Sequence, residues 1–157
     1  MSSFKNIGPL FWKVTMNEKF ALRVIKNPRL AKISTKDRET LAHRAVRYHK
    51  SAAIEAVKNY EIAKLKSTSY FHDRTVAHIA VNCFVEAAEK SFENLEIIQI
   101  ADDTGWTVGN EALRFHNRAI LTLIEEARKF YNKLLREDRK YKKEMNLIKE
   151  MGNIKKK

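Results

Sequence analysis

A chain of 157 residues, 44% hydrophobic and 32% charged, suits one globular domain and is not the composition of a disordered segment. Four glycines and two prolines are few for a β-rich fold and usual for helices, and the single cysteine excludes an intrachain disulfide. The net charge of +12 is sorted along the chain: residues 1–67 hold 15 Lys/Arg against 5 Asp/Glu, residues 68–112 hold 2 against 8, and residues 113–157 hold 14 against 6. Two basic segments around an acidic one predict separate surfaces for a polyanion and for a basic partner.

No apolar run approaches the roughly 20 residues of a membrane span. Lys5, Asn6, Gly8 and Pro9 interrupt any signal-peptide core. The expectation is a soluble cytoplasmic protein with no membrane contact, all-α in class. Its predicted architecture is an elongated antiparallel bundle of three long helices. A short N-terminal helical and aromatic cap and a projecting C-terminal helix complete it. No internal repeat is read in the chain.

Residues 1–33 form the cap segment. Phe4, Ile7, Leu10, Phe11, Trp12 and Val14 cluster around Gly8-Pro9. A short helix is expected from Thr15 to Lys26 with Met16, Phe20 and Val24 inward. Asn27-Pro28 ends it, because the residue before proline avoids helical torsions.

The bundle is placed at residues 34–151. Its first helix starts with Ser34 as N-cap and Asp37 in a capping-box position. Leu41, Ala45, Tyr48, Ala52, Ala56, Tyr60 and Ala63 follow on one face. Lys36, Arg44, Arg47, Lys50 and Lys58 lie opposite. The second helix is expected from Ser69 to Ala101, with Val76, Ala80, Cys83, Ala87, Ser91, Leu95 and Ile98 inward. Its outer stripe is acidic, Glu86, Glu89, Glu93 and Glu96, with only Lys90 nearby to neutralise it.

Asp102 to Asn110 reads as a loop with Trp106 and Val108 tucked inward. The third helix, Asn110 to Met151, carries apolar residues at alternating steps of four and three. These run from Leu113 through Ile120, Ile124, Tyr131 and Leu134 to Ile148, and Asn117 and Asp138 weaken the seam. Its last turns, with Tyr141, Met145 and Ile148, are expected to project and to need a partner. Residues 152–157 read as a basic disordered tail.

The strongest surface signal is cationic. Lys129, Lys133, Arg136, Lys140 and Lys143 repeat at helical spacing away from the seam, and Arg114 and Arg118 extend the row. A row of this kind suits a phosphate backbone, whose counterions it displaces. Ion pairs such as Glu125 with Lys129 and Lys140 with Glu144 would relieve it in part. The acidic stripe and the C-terminal helix are assigned to a protein partner or to a homo-oligomer.

Enzyme signatures are scarce. The histidines lack the three- or four-residue spacing of helical metal sites, so no metal and no cofactor is expected. Cys83 and His78 are read as interior residues. There is no phosphate-binding glycine loop and no nucleophile elbow. Arg44-Ala45-Val46-Arg47-Tyr48-His49 resembles the arginine, four residues, histidine motif of HEPN ribonucleases. That resemblance implies acid–base work by His49 and charge stabilisation by Arg44, although Ala45 stands where the family usually has a polar residue.

The leading expectation is a non-catalytic, basic helical subunit of a larger nucleoprotein assembly. It binds RNA or single-stranded DNA through phosphates with little sequence specificity. Bacterial defence complexes, mobile elements and phages use subunits of that character. The alternative is a structural protein that self-associates or binds an acidic partner.

Overall fold

The computed structural model describes residues 7–35, 39–67 and 74–154. The chain divides into two compact units, one up to Ile120 and one from Leu121. Among the described residues it is helical, with three isolated β-bridges and no longer strand.

All-α is correct, but the first unit is not built from long helices. Three short helices recur in order. The first set is α1 (Ile7–Met16), α2 (Glu18–Lys26) and α3 (Pro28–Ala31). The second is α4 (Leu41–Tyr48), α5 (Lys50–Ala56) and α6 (Tyr60–Ala63). The third is α7 (Val76–Cys83), α8 (Val85–Ser91) and α9 (Leu95–Ile98). A fourth set opens with α10 (Val108–Ile154). What reads as a cap segment is therefore the first repeat, and the first and second expected long helices are each a whole repeat, while the third is found as the long helix α10.

Local chemistry sets the joints. A single extended residue separates the first helix from the second: Asn17 (φ −132°), His49 (φ −129°) and Phe84 (φ −136°). His116 occupies the same place inside α10 and departs from helical torsions there (φ −131°, ψ 36°). Asn17 caps α2 by accepting the Phe20 N–H, but His49 and Phe84 supply no cap bond and are not helix breakers by type, so tertiary packing imposes the break there.

Asparagine caps the start of the third helix each time. Asn27, Asn59 and Asn94 are extended, and their side chains accept backbone N–H groups two or three residues on. The next residues, Pro28, Tyr60 and Leu95, start the one-turn helices. α10 has Glu126 at the corresponding place and continues.

A turn then leads into the next repeat. The carbonyls of Ile33, Leu65 and Ile100 accept the N–H groups of Leu41, Val76 and Val108 at 2.8, 2.9 and 2.9 Å. Ser34–Thr40, Lys66–Thr75 and Ala101–Thr107 pair as bridges beside them. Thr40 and Thr75, not Ser34, are the N-caps, accepting the N–H groups of His43 and His78. Thr107 accepts that of Asn110. Asp37 and Ser69 lie outside the described residues.

These threonines are 35 and 32 residues apart. The three extra residues fall between Ser67 and Arg74, outside the described residues, so the helices keep one spacing throughout.

The core repeats with the helices. Ala45, Ala80 and Ala112 are equivalent and buried, as are Val14, Val46 and Val81. Ala21, Ala53, Ala88 and Ile120 form another buried row. Small side chains let successive repeats approach closely, and no repeat covers its own apolar face alone. Gly109 takes the position of Ala42 and Ala77, where a Cβ would stand 3.3 Å from the Ile98 carbonyl.

Several expected core residues face solvent instead: Met16 and Trp12 at 65% exposure, Leu95, Tyr48, Tyr60 and Cys83. The single period read across each presumed long helix mixed the faces of two helices. Phe20 is half-buried, Val24 and Val108 are buried, and Phe4 lies outside the described residues.

In the second unit, α10 is helical from Leu121 to Ile154 and almost wholly exposed.

Candidate functional site: the first-helix face of the repeats

Equivalent positions on α1, α4, α7 and the start of α10 carry Met16, Tyr48, Cys83 and Phe115, spaced 32, 35 and 32. All four are exposed: Met16 by 65%, Tyr48 and Phe115 by 48% each, and Cys83 also. One residue earlier stand Thr15, Arg47, Asn82 and Arg114. An apolar row beside a row that includes two arginines thus runs along successive first helices.

The neighbours hold these side chains in place. The Arg44 guanidinium lies 5.0 Å from the centre of the Tyr48 ring, and that of Arg114 lies 5.5 Å from the Phe115 ring. Arg44 Nε also donates to Thr15 Oγ1 at 2.9 Å, tying α4 to α1. Arg74, Asp102, Thr104, Trp106 and Arg114 line an open cleft of about 270 Å³. Burial pushes the Cys83 thiol up despite the nearby Arg47 charge, which makes it a poor nucleophile.

Beneath this face lies a set of polar bonds linking repeat to repeat. The Thr40 hydroxyl accepts the His43 N–H and donates to Nδ1 at 2.7 Å, while Nε2–H donates to the Arg74 carbonyl at 3.1 Å. The Thr75–His78 pair repeats this geometry, with Nε2–H donating to the Trp106 carbonyl at 2.8 Å. Each histidine joins its own cap to the turn that opens the next repeat. Burial pulls His43 down to about 4 and lowers His78, so both are held neutral. His78 is thus an interior histidine with both ring nitrogens bonded.

Glu111 closes the stack. It is fully buried, and its carboxylate accepts from Arg74 at 2.6 Å, Asn82 Nδ2 at 2.8 Å and Trp106 Nε1 at 2.7 Å. Its three donors come from three places in the chain. None of Glu111, His43, Thr40 or Thr75 stands out by composition. The signal that finds them is the paired run Thr40-Leu41-Ala42-His43-Arg44-Ala45-Val46 and Thr75-Val76-Ala77-His78-Ile79-Ala80-Val81.

The basic row expected on the first long helix is not a continuous track. Arg44 and Arg47 face Glu39 at 3.7 and 3.1 Å, a charge contact in which Glu39 Oε1 has no aligned hydrogen bond. Lys50 pairs with Glu86 at 2.9 Å and Lys58 with Glu55 at 3.2 Å. Lys36 lies outside the described residues.

The acidic stripe is likewise divided among α8, the following turn and α9. Lys50 from the preceding repeat neutralises Glu86, and Lys90 pairs with Glu93. Glu89 is half-buried, and Glu96 borders a cleft of about 510 Å³ with Tyr60, Gln99 and Ile100. Neither single stripe survives, because each presumed long helix is folded at His49 or Phe84.

Arg44 and His49 also hold structural posts. His49 Nε2–H donates to the Val14 carbonyl at 2.7 Å at the break between α4 and α5. Among the described residues no three His, Cys, Asp or Glu side chains are grouped to hold a metal ion. No described helix is long and apolar enough to cross a membrane.

On the second unit, Lys129 pairs with Glu125 at 3.3 Å, and Lys142 with Asp138 at 2.9 Å in place of the expected Lys140–Glu144 pair. Lys133, Arg136, Lys140 and Lys143 are exposed and enter no ion pair among the described residues. Arg118 on the first unit is exposed. Tyr141 and Ile148 are about 60% exposed and Met145 is half-buried.

Comparison with protein families, with characterised proteins and with solved structures finds no match to this chain.

Proposed function

We propose that the first unit is a short stack of ankyrin-type repeats serving as a non-catalytic protein-interaction module. Its first-helix face would receive a partner segment bearing apolar and acidic side chains. The repeat resembles the ankyrin type in its period, in two helices following a turn, and in the Thr-x-x-His-x-Ala run. Stacks of this kind present extended surfaces on which one register recurs from repeat to repeat.

The observation that carries the reading is the row Met16, Tyr48, Cys83 and Phe115. A merely solvated face has no reason to hold an exposed apolar residue at one register in all four repeats. Arg47 and Arg114 beside the row favour carboxylates on the partner.

Selection from a random-peptide display library against the full-length protein tests it. The expected peptides combine an aromatic or large aliphatic residue with Asp or Glu. Their binding weakens about tenfold or more in Tyr48→Ala and in Phe115→Ala, with unchanged circular dichroism. Peptides that bind both variants as tightly as the native protein contradict the reading.

A second reading, binding of RNA or single-stranded DNA within a nucleoprotein assembly, has support in the second unit. Lys133, Arg136, Lys140 and Lys143 offer unneutralised cations at helical spacing. Fluorescence anisotropy across a salt series measures it. Neutralising Lys133, Arg136 and Lys140 together is expected to reduce the log–log salt slope by about 2–3, and an unchanged slope contradicts this reading.

A further inference from the structure

The second unit is a helix whose apolar seam nothing in its own unit covers. Ile124, Tyr131, Leu134, Tyr141 and Ile148 are exposed by 44%, 61%, 46%, 60% and 61%. Together with Ala127, Asp138 and Met145 they alternate steps of three and four over about three and a half heptads, Asp138 being the polar member. Isolated helices with such a stripe are marginal in water, and covering the stripe is what stabilises them.

We propose that the segment Leu121–Ile154 pairs with the same segment of a second copy of this chain as a parallel two-stranded coiled coil. The residues beside the seam select both occupant and direction. With Ile124 at position a, the e positions are Arg128, Leu135, Lys142 and Lys149, and the g positions are Leu123, Phe130, Glu137, Glu144 and Met151.

In a parallel, in-register pair each g residue meets the e residue of the partner's next heptad. Glu137 then meets Lys142, Glu144 meets Lys149, and Phe130 meets Leu135. In an antiparallel pair e meets e and g meets g, which sets Lys and Arg against Lys and Arg, and Glu against Glu. The acids on one flank and the bases on the other are complementary to a second copy laid parallel, and not to one laid in reverse.

The outer positions fit as well. Lys129, Lys133, Arg136, Lys140 and Lys143 fall at c and f, away from the seam. Pairing leaves them exposed, so this inference stands whether or not they bind phosphate, and it does not rest on the reading of the repeat face. Asp138 is the one charged a residue. A polar a residue lowers stability while fixing register, and Lys142 already lies 2.9 Å from its carboxylate on the same helix.

Sedimentation velocity of the nuclease-treated full-length protein over a concentration series tests the pairing. The expected result is reversible dimerisation. Leu134→Glu weakens it about 100-fold or more, Asp138→Leu tightens it, and the far-ultraviolet spectrum of the repeats persists in both. Direction is read in a Cys83→Ser background carrying Met145→Cys, which on oxidation is expected to give a disulfide-linked dimer. A monomer at every concentration overturns the proposal, as does a dimer indifferent to Leu134→Glu. A dimer that Leu134→Glu disrupts but that forms no Met145→Cys disulfide overturns the parallel arrangement.

Discussion

Glu111→Ala is expected to lower the unfolding free energy by about 3–5 kcal/mol, the usual cost of removing one partner of a buried ion pair. The carboxylate is fully buried and accepts hydrogen bonds from Arg74, Asn82 and the Trp106 indole. Its loss strands the half-buried Arg74 guanidinium and an indole N–H, and both must then find water or remain unbonded.

These donors come from the turn before α7, from α7 itself and from the turn before α10, so the damage falls between the third and fourth repeats. Glu111→Gln keeps the volume and some of the bonds and is expected to cost less. Urea unfolding followed by circular dichroism measures both. A loss below about 1 kcal/mol in Glu111→Ala, the level of an exposed ion pair, contradicts this role.

The second large effect is in acid. Burial holds His43 at about 4 against an ordinary 6.5, with its bond to the Arg74 carbonyl opposing the shift and Arg47 reinforcing it. Well above pH 6.5 the imidazole is neutral in both folded and unfolded chains and contributes no pH dependence.

As pH falls from 6.5 to 4, the unfolded chain takes up the proton and the folded one does not. Stability therefore declines across that window, by about 3 kcal/mol at its lower end for this group alone. His78 adds a decline of the same sign, because burial lowers it too. His43→Asn, which copies the residue found at Asn110, is expected to remove the His43 part of this slope. It also loses the bond to Arg74 and is less stable at neutral pH. Urea midpoints at several pH values between 4 and 7 check the slope, and parallel curves for the two proteins contradict it.

The helical class was legible from few glycines, few prolines and steady three-and-four spacing. The stop at Asn27-Pro28 and the turn around Gly105 were legible from turn chemistry, and Gly105 does adopt a positive φ of 83°. The breaks at His49 and Phe84 were not. Neither residue type interrupts a helix, and each break arises because two short helices of one repeat must both pack against the next repeat.

Without the breaks, the apolar period ran on across His49, and the face carrying Tyr48 was merged with the face carrying Ala52. The repeat itself was present in the two Thr-x-Ala-His-x-Ala-Val runs and in Asn27, Asn59 and Asn94. It was obscured because the first repeat replaces Thr and His with Gly8 and Phe11, the fourth replaces His with Asn110, and the stretch between the second and third repeats is three residues longer.

The candidate site followed the same logic. Single stripes of Lys or Glu were visible in sequence, but the pairing of Lys50 with Glu86 joins two repeats and needs the stack to be seen. The exposed row of Met16, Tyr48, Cys83 and Phe115 appears only once residues 32 and 35 apart are recognised as equivalent.

The stack stands on two histidines that bind their own cap threonines through Nδ1 and the next turn through Nε2–H. The ring ¹⁵N chemical shifts of the full-length protein, followed by nuclear magnetic resonance from neutral pH downwards, test this most directly. At neutral pH both histidines are expected to be neutral and protonated at Nε2, with His43 unchanged through pH 6.5 and His78 titrating below its ordinary value. Ordinary titration near 6.5, or a proton on Nδ1, would contradict the stacked arrangement in which Arg74 and Trp106 carbonyls accept those bonds.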